Sequence, residues 1–262
     1  DKISYTSSMS WAARRRFIIL LIIGAVVVSF LSTVLIATFY QTPTCSDTVQ
    51  NQNENGIDCG GPCPYLCSAD EQSPTVLFAK AINNGTGRVD VIASVENRNA
   101  TSGAKNISYK VQLYGADQVL IHEVTGTFDL APGATEPVFI PGVTSGKQVV
   151  ANTFLIIEPS SIQWVHMNGD PRVVPQVPSV KQIGTLNAPR IEAILVNPTA
   201  TALNDVQAIV IVRDENKEVI AASATIVALI PAQSQAPATF TWNSAFSGIV
   251  ASIEVRPLVP LP

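Results

Sequence analysis

The sequence predicts a mainly β protein with one transmembrane α-helix near its N-terminus, a small disulfide-bonded segment, and two tandem antiparallel β-sandwiches. Three observations predict this organisation: an uncharged apolar run of 24 residues, four cysteines within 23 residues, and alternating Val-, Ile- and Ala-rich segments after residue 74. The 262 residues are 47% apolar and only 14% charged, which is unusual for a soluble protein. With 16 basic and 20 acidic residues, the chain lacks the basic surface that nucleic-acid binding requires.

The predicted transmembrane helix covers residues 17–40. At 1.5 Å per residue it measures roughly 36 Å, more than the roughly 30 Å hydrocarbon core of a bilayer. The run is too long for the apolar core of a cleaved signal peptide, and it ends in the bulky residues Phe39 and Tyr40. We therefore expect an uncleaved signal-anchor that holds a single-pass protein in the lipid bilayer of the cell membrane.

Charged residues predict the orientation of this helix. Arg14, Arg15 and Arg16 precede the apolar run, whereas no Lys or Arg occurs from Gln41 to Ala79. By the positive-inside rule, residues 1–16 form a cytoplasmic segment and everything after the helix is extracytoplasmic.

Small side chains recur on the helix at every fourth position. Ala25, Ser29, Thr33 and Ala37 form a ridge against which another membrane helix could pack closely. The alternative is that the ridge reflects only the general abundance of small residues in membrane helices.

The four cysteines lie in a predicted Cys-rich stalk module at residues 41–73. In an oxidising compartment, Cys45, Cys59, Cys63 and Cys67 predict two disulfides, because the segment has too few apolar residues for a core of its own. All three pairings remain open. Zinc is a weaker alternative, since the spacing is unusual for zinc and no His lies nearby.

Oxygen-bearing side chains cluster between the first two cysteines, with Gly56 available for a sharp turn. Hard oxygen ligands at short spacing suit Ca²⁺, and the alternative is a solvated polar turn. The candidate calcium ligands are Asp47, Asn51, Asn53, Glu54 and Asp58.

Alternating apolar and polar residues predict strands at residues 89–96, 107–114 and 249–256. Runs of this kind, bounded by turn residues, are typical of half-buried antiparallel strands. Residues 91–97 also match residues 191–197 at an offset of 100, which predicts two units of about 90 residues, each close to the size of an immunoglobulin-like sandwich. We expect the first domain at residues 74–170 and the second at 171–262.

Two sequence motifs resemble known families. Residues 106–114 and 204–216 resemble FxLYD-type domains, which are immunoglobulin-like sandwiches of prokaryotic cell-surface proteins, although Gly115 stands where that pattern has Asp. Residues 45–67 resemble the Cys-x-Asp…Asp-Cys-Gly-Gly-x-Cys signature of bacterial surface proteins. The whole order resembles membrane-anchored proteins of candidate-phylum bacteria, a resemblance that implies location and architecture but no activity.

Catalytic residues are hard to assign in this chain, and we expect no enzyme and no cofactor other than the candidate Ca²⁺. Its only histidines, His122 and His166, lie in separate strand-like runs and belong to no known motif. We expect a structural or adhesion role in the cell envelope, with a protein or glycan partner. The alternatives are an accessory subunit of a membrane complex, held through the helix ridge, and an ectodomain hydrolase, which would need a concave pocket with paired carboxylates.

Overall fold

The computed structural model describes residues 10–39, 44–51, 53–85, 87–146 and 148–262. An N-terminal helix is followed by a disulfide-bonded segment and then by thirteen strands in the described residues. The prediction of a mainly β protein with an N-terminal helix is therefore confirmed.

The N-terminal helix, α1, spans Trp11–Phe39 and is long and apolar enough to cross a membrane. It begins six residues before the predicted segment, because nothing between Trp11 and Arg16 breaks a helix and the Ser10 hydroxyl accepts a hydrogen bond from the Ala13 N–H at 3.4 Å. The predicted last residue, Tyr40, lies outside the described residues. No side chain of α1 is buried against the rest of the chain.

The first sandwich contains seven strands, namely β1 (Thr75–Asn83), β2 (Arg88–Glu96), β3 (Ser102–Tyr114), β4 (Leu120–Leu130), β5 (Thr135–Thr144), β6 (Asn152–Ile157) and β7 (Val165–His166). One sheet has the order β1-β2-β5 and the other β4-β3-β6, with β7 paired to β3. The predicted alternation holds in β3, where Ile107, Val111 and Leu113 are fully buried in the core between the sheets.

The second sandwich contains six strands, namely β8 (Gln176–Thr185), β9 (Ala188–Val196), β10 (Leu203–Arg213), β11 (Val219–Ile230), β12 (Gln235–Thr241) and β13 (Ser252–Leu258). Its sheets have the orders β12-β9-β8 and β11-β10-β13. Ile191, Leu195 and Phe240 lie at the centre of its core. The predicted strand at residues 249–256 begins three residues late, and Ile249 is exposed in the preceding loop.

A buried asparagine stabilises the same corner in each sandwich. Asn97 donates hydrogen bonds to the carbonyls of Ser102 and Ala131, at 2.7 and 2.8 Å, and its Oδ1 accepts the Asn99 N–H. The equivalent Asn197 donates to carbonyls of the same two loops and accepts the Thr199 N–H. Each amide thus joins the connection after the second strand of its sandwich to the turn after the fourth.

The two sandwiches pack against each other and form four sheet layers. The outer face of β1-β2-β5 meets the outer face of β11-β10-β13, where Ile92, Ile209 and Ile211 are almost fully buried. The Arg213 guanidinium lies 5.8 Å from the Phe78 ring, so the end of β10 reaches β1. Residues of β5 and residues near the start of β10 line one concave surface between the sandwiches.

This interface corrects one prediction. The alternation at residues 89–96 predicts a half-buried strand, but seven of the nine residues of β2 are buried, because the second sandwich covers its outer face. Strand β10 shows the same effect over Ala208–Val212. The signal in the sequence is the uninterrupted apolar run Ala208–Val212, which is typical of a strand buried on both faces.

Candidate functional site

The Cys-rich segment contains two disulfides, Cys45–Cys63 and Cys59–Cys67. The predicted use of all four cysteines in cross-links is confirmed, and the pairing, which spacing left open, is now defined. Gly56 lies against the second bond, since a Cβ at this position would approach the Cys59 and Cys67 Sγ atoms to 2.9 and 3.1 Å.

Four of the five candidate calcium ligands belong to one hydrogen-bonded network. Asp58 accepts the N–H groups of Asp47 and Thr48 at 3.0 and 2.9 Å, and the Asp47 carboxylate accepts the Asn51 side-chain amide at 2.9 Å. Glu54 accepts the N–H groups of Asn51 and Asp58. The carboxylates thus organise the loop through its backbone.

Hydrogen bonds lower the pKa of the Asp47 carboxyl, chiefly the bond from Asn51 and then that from the Thr44 N–H. Asn53 is exposed and has a left-handed backbone with φ of 66°. Calcium binding at these residues stays a prediction.

Glu54 also approaches the sulfur atoms of Cys45 and Cys63, in a grouping that resembles a metal site. These two cysteines are bonded to each other, so neither can supply the thiolate that a soft metal requires. The arrangement is therefore a buried carboxylate beside a disulfide, with 2.8 Å between Glu54 Oε1 and Cys63 Sγ.

The Cys-rich segment is attached directly to the first sandwich. The Leu66 N–H donates to the Trp164 carbonyl at 3.1 Å, and the His166 N–H donates to the Pro64 carbonyl at 2.6 Å. Asn99 donates to the Gln72 carbonyl and accepts the Gln72 N–H. These bonds hold the segment on the sandwich as a docked cap.

A groove of about 530 Å³ lies between the two sandwiches. Its wall combines aromatic rings of the first sandwich, Tyr109 and Phe128, with Gln207 and Ile226 of the second. Ile226 is 66% exposed, and the volume is within the range of small-ligand and peptide sites. Both sandwiches therefore contribute side chains to this concave surface.

Arg172 lies at one end of the groove and joins three separate parts of the chain. Its Nη2 lies 2.5 Å from Glu136 Oε1 and 2.7 Å from Asp170 Oδ2, and its Nη1 donates to the Val259 carbonyl at 3.2 Å. The Arg172 side chain is only 5% exposed and that of Glu136 11%. We call these three charged residues and Val259 the Arg172 clamp.

Burial and ion pairing shift the acidic groups of the clamp in opposite directions. Burial raises the pKa of the Glu136 carboxyl, although Arg172 partly offsets this effect. Burial also opposes ionisation of Asp170, but hydrogen bonds and charge from Arg172 outweigh it and hold the pKa of Asp170 below its ordinary value. The pKa of Arg172 is raised, because both carboxylates outweigh its own burial.

A second set of contacts ties the residues after β13 to the first sandwich. The Leu261 N–H donates to Asp129 Oδ2 at 2.9 Å, and Lys105 Nζ donates to the Pro262 oxygen at 2.6 Å. Leu261 itself is buried. These hydrogen bonds hold the two sandwiches together along one side of the groove.

Comparison with known proteins identifies no family. No protein-family model matches the chain, and no curated protein is similar to it. Among solved structures, the chain is similar to a beta-glucuronidase from glycoside hydrolase family 2 at 11% identity, with a TM-score of 0.20. The alignment covers 84% of this chain and 29% of that enzyme, so the chain spans less than a third of its length. This similarity is too low to indicate a fold or an activity.

The remaining predicted site residues are dispersed. His122 pairs with Leu113 on β4 and β3, while His166 pairs with Ser102 on β7 and β3, so the two histidines form no common site. On α1, Ala25, Ser29 and Thr33 line one shallow depression. The packing of another membrane helix in this depression remains a prediction. The cytoplasmic position of the N-terminus, which Arg14–Arg16 predict, also remains a prediction.

Sequence reasoning missed the Arg172 clamp and the groove. Glu136 and Arg172 are 36 residues apart and belong to no periodic pattern, so no local signal relates them. Asp205 and Asn106, at the edge of the groove, offer one hint. Each directly precedes a buried core residue of its strand, Val206 or Ile107, and both have positive φ, at 50° and 53°.

Proposed function

We propose that the protein is a non-enzymatic, single-pass cell-surface protein that displays a rigid pair of sandwiches in the cell envelope for structural or adhesive contacts. The observation that carries this proposal is the unbroken series of contacts from the disulfide-bonded cap, through the first sandwich and the Arg172 clamp, to the second sandwich. A stiff body attached to a helix of membrane-spanning length is better suited to presenting a surface for binding than to catalysing a reaction.

Support for this location comes from the helix and the residues that precede it. Arg14–Arg16 at the start of α1 support a cytoplasmic N-terminus and extracytoplasmic sandwiches. An epitope inserted after Leu186, the exposed tip of the β8–β9 hairpin, should be labelled by antibody on intact cells. An epitope before α1 should be labelled only after permeabilisation, and the reverse pattern would overturn the orientation.

The sandwiches are proposed to be a tandem repeat of FxLYD-type, immunoglobulin-like domains. Equivalent strand orders and the equivalent hydrogen bonds of Asn97 and Asn197 support this relationship. The Cys-rich segment is proposed to be the surface-protein module that its motif resembles.

The groove between the sandwiches is the proposed contact for a protein or glycan partner. It is concave and offers both apolar rings and polar side chains, with Ile226 exposed at its wall. We expect Ile226→Lys to abolish recovery of partners cross-linked on native membranes. Leu186→Lys, which is also at an exposed position but outside the groove, is the matched control. Equal recovery from both variants would exclude the groove.

A second candidate is an accessory subunit held through α1. The shallow depression at Ala25, Ser29 and Thr33 favours it. Replacing Ala25 and Ser29 with Leu should release co-purifying membrane proteins, whereas Val27→Leu with Val34→Leu, on the opposite face, should retain them.

An ectodomain hydrolase has no comparable support, since Glu136 pairs with Arg172 and Asp129 accepts two backbone N–H groups.

A further inference from the structure

The two disulfides of the cap have the same pattern of solvent exposure. In each bond one cysteine is partly exposed, Cys45 or Cys59, and the other is buried, Cys63 at 2% or Cys67 at 7%. A thiolate from solution reaches the partly exposed member more readily than the buried one. The buried cysteine is therefore the leaving group in both bonds.

The surroundings of the two leaving groups differ in charge. Glu54 is buried, and its Oε1 lies 2.8 Å from Cys63 Sγ. Cys63 carries no S–H because it is disulfide-bonded, so this contact is not a hydrogen bond. The Oε2 atom is held by the N–H groups of Asn51 and Asp58 at 3.2 and 3.4 Å, which fixes the carboxylate in place.

No cation relieves this charge among the described residues. Glu54 forms no salt bridge there, and the sequence has no Lys or Arg from Gln41 to Ala79. Cys67, in contrast, lies against the backbone of Gly56, which brings no charge. A thiolate formed at Cys63 would meet a fixed negative charge, whereas no carboxylate of the described residues contacts Cys67 Sγ.

We propose that Cys59–Cys67 is the disulfide that exchanges with small thiols, and that Glu54 protects Cys45–Cys63 from the same reaction. In the exchange, a thiolate attacks Cys59 Sγ and forms a new S–S bond as the Cys59–Cys67 bond breaks. The electron pair leaves on Cys67 Sγ, which takes a proton from water, and Cys59 keeps the small thiol as a mixed disulfide.

The same attack on Cys45 is slower because its leaving thiolate would form at Cys63. The repulsion between this developing charge and the Glu54 carboxylate acts at contact distance in a buried site, where it is weakly screened. The cap therefore has one protected cross-link, which begins at the first cysteine after α1, and one cross-link that small thiols open more readily.

The test uses the full chain in detergent micelles at neutral pH. Dithiothreitol is added, samples are alkylated with iodoacetamide over time, and mass spectrometry reports which cysteines are labelled. In the wild type, Cys59 and Cys67 should be labelled at least about tenfold faster than Cys45 and Cys63. Glu54→Gln keeps the acceptor oxygen but removes the charge, and should raise the rate at Cys45–Cys63 about tenfold while leaving Cys59–Cys67 unchanged.

Asp58→Asn is the matched control, because Asp58 also accepts two backbone N–H groups in this loop but has no described contact with sulfur. It should not change the order of reduction. Three outcomes would overturn the proposal: earlier labelling of Cys45 and Cys63 in the wild type, an unchanged Cys45–Cys63 rate in Glu54→Gln, or equal acceleration of both bonds. The first needs no variant, so the proposal remains testable even where Glu54→Gln unfolds the cap.

Discussion

Single buried polar side chains determine much of the local geometry of this protein. Asn97 and Asn197 each donate side-chain hydrogen bonds to carbonyls of two adjoining loops, beside the backbone hydrogen bonds that these loops make with each other. Glu54 and Asp58 play the same part in the cap, where few apolar side chains are available. A buried polar group that is fully hydrogen-bonded specifies one arrangement, because any other arrangement leaves it unpaired.

Replacing Asn97 or Asn197 with Ala should therefore be costly. Each substitution removes at least two side-chain hydrogen bonds to loop carbonyls and one from a backbone N–H, and we expect a loss of about 3 kcal/mol in the free energy of unfolding. Denaturant unfolding of the full chain in micelles measures this loss. Asn216→Ala, in the exposed turn between β10 and β11, should change stability by less than about 0.5 kcal/mol. Comparable losses in all three variants would contradict the role of the corner.

Strand β10 packs on one face inside its own sandwich and on the other face against the first sandwich. One of its faces contributes Val206, Ala208 and Val210 to the core of the second sandwich, and the other places Ile209 and Ile211 against the first. The strand is buried along most of its length, which explains its nearly continuous apolar sequence.

Ile209→Asp should separate the sandwiches while leaving their individual cores intact, because Ile209 lies in the interface cluster and not in either core. Arg172, buried in the wild type, should then become a site of rapid tryptic cleavage. Limited proteolysis followed by mass spectrometry measures this change. Ile226→Asp, on the same sheet but 66% exposed, is the control and should preserve resistance. Unchanged protection of Arg172 in Ile209→Asp would contradict this view of the interface.

The sequence predicts correctly those features that depend on residues close together in the chain. The α1 helix, the cross-linking of four cysteines and the alternation of β3 each depend on neighbouring residues and were predicted correctly. The burial of Ile92 and the pairing of Glu136 with Arg172 depend on contacts between distant segments, which a period of two residues cannot encode. The sequence left the disulfide pairing open, because four cysteines in one short segment are compatible with three connectivities.

At the level of the whole molecule, the Arg172 clamp joins the first sandwich, the linker and the residues after β13. Removing one member of a buried ion pair leaves the other charge buried without compensation, which costs several kcal/mol. Arg172→Ala should therefore lower the free energy of unfolding by about 3 kcal/mol and accelerate amide exchange at Leu261. Arg98→Ala, which breaks an exposed pair with Glu96, is the control and should have little effect. Equal effects of the two variants would argue against a clamp.

The clamp also predicts how stability depends on pH. Because the pKa of Glu136 is raised on folding, the folded protein binds this proton more tightly than the unfolded chain does. Glu136 therefore adds stability at pH values below its folded pKa, and this contribution is lost as the pH rises through that value. Asp170 acts in the opposite sense, but only below its ordinary pKa near 3.8.

Between about pH 4.5 and 7, the difference in unfolding free energy between the wild type and Glu136→Gln should shift against the wild type as pH rises. Denaturant titrations of both proteins at several pH values measure it. A difference that stays constant over this range would show that Glu136 does not titrate in the clamp.

The bond between Leu261 and Asp129 also has a consequence for how the protein is made. These residues are 132 positions apart, and Asp129 is synthesised first. At translation rates of about 5–20 residues per second, Asp129 waits on the order of ten seconds for its partner. During this interval the first sandwich exposes the apolar face of Phe78, Ile92 and Phe139 that the second sandwich will cover. The newly made first sandwich is thus the stage at which this protein is most open to mispairing or to capture by a chaperone.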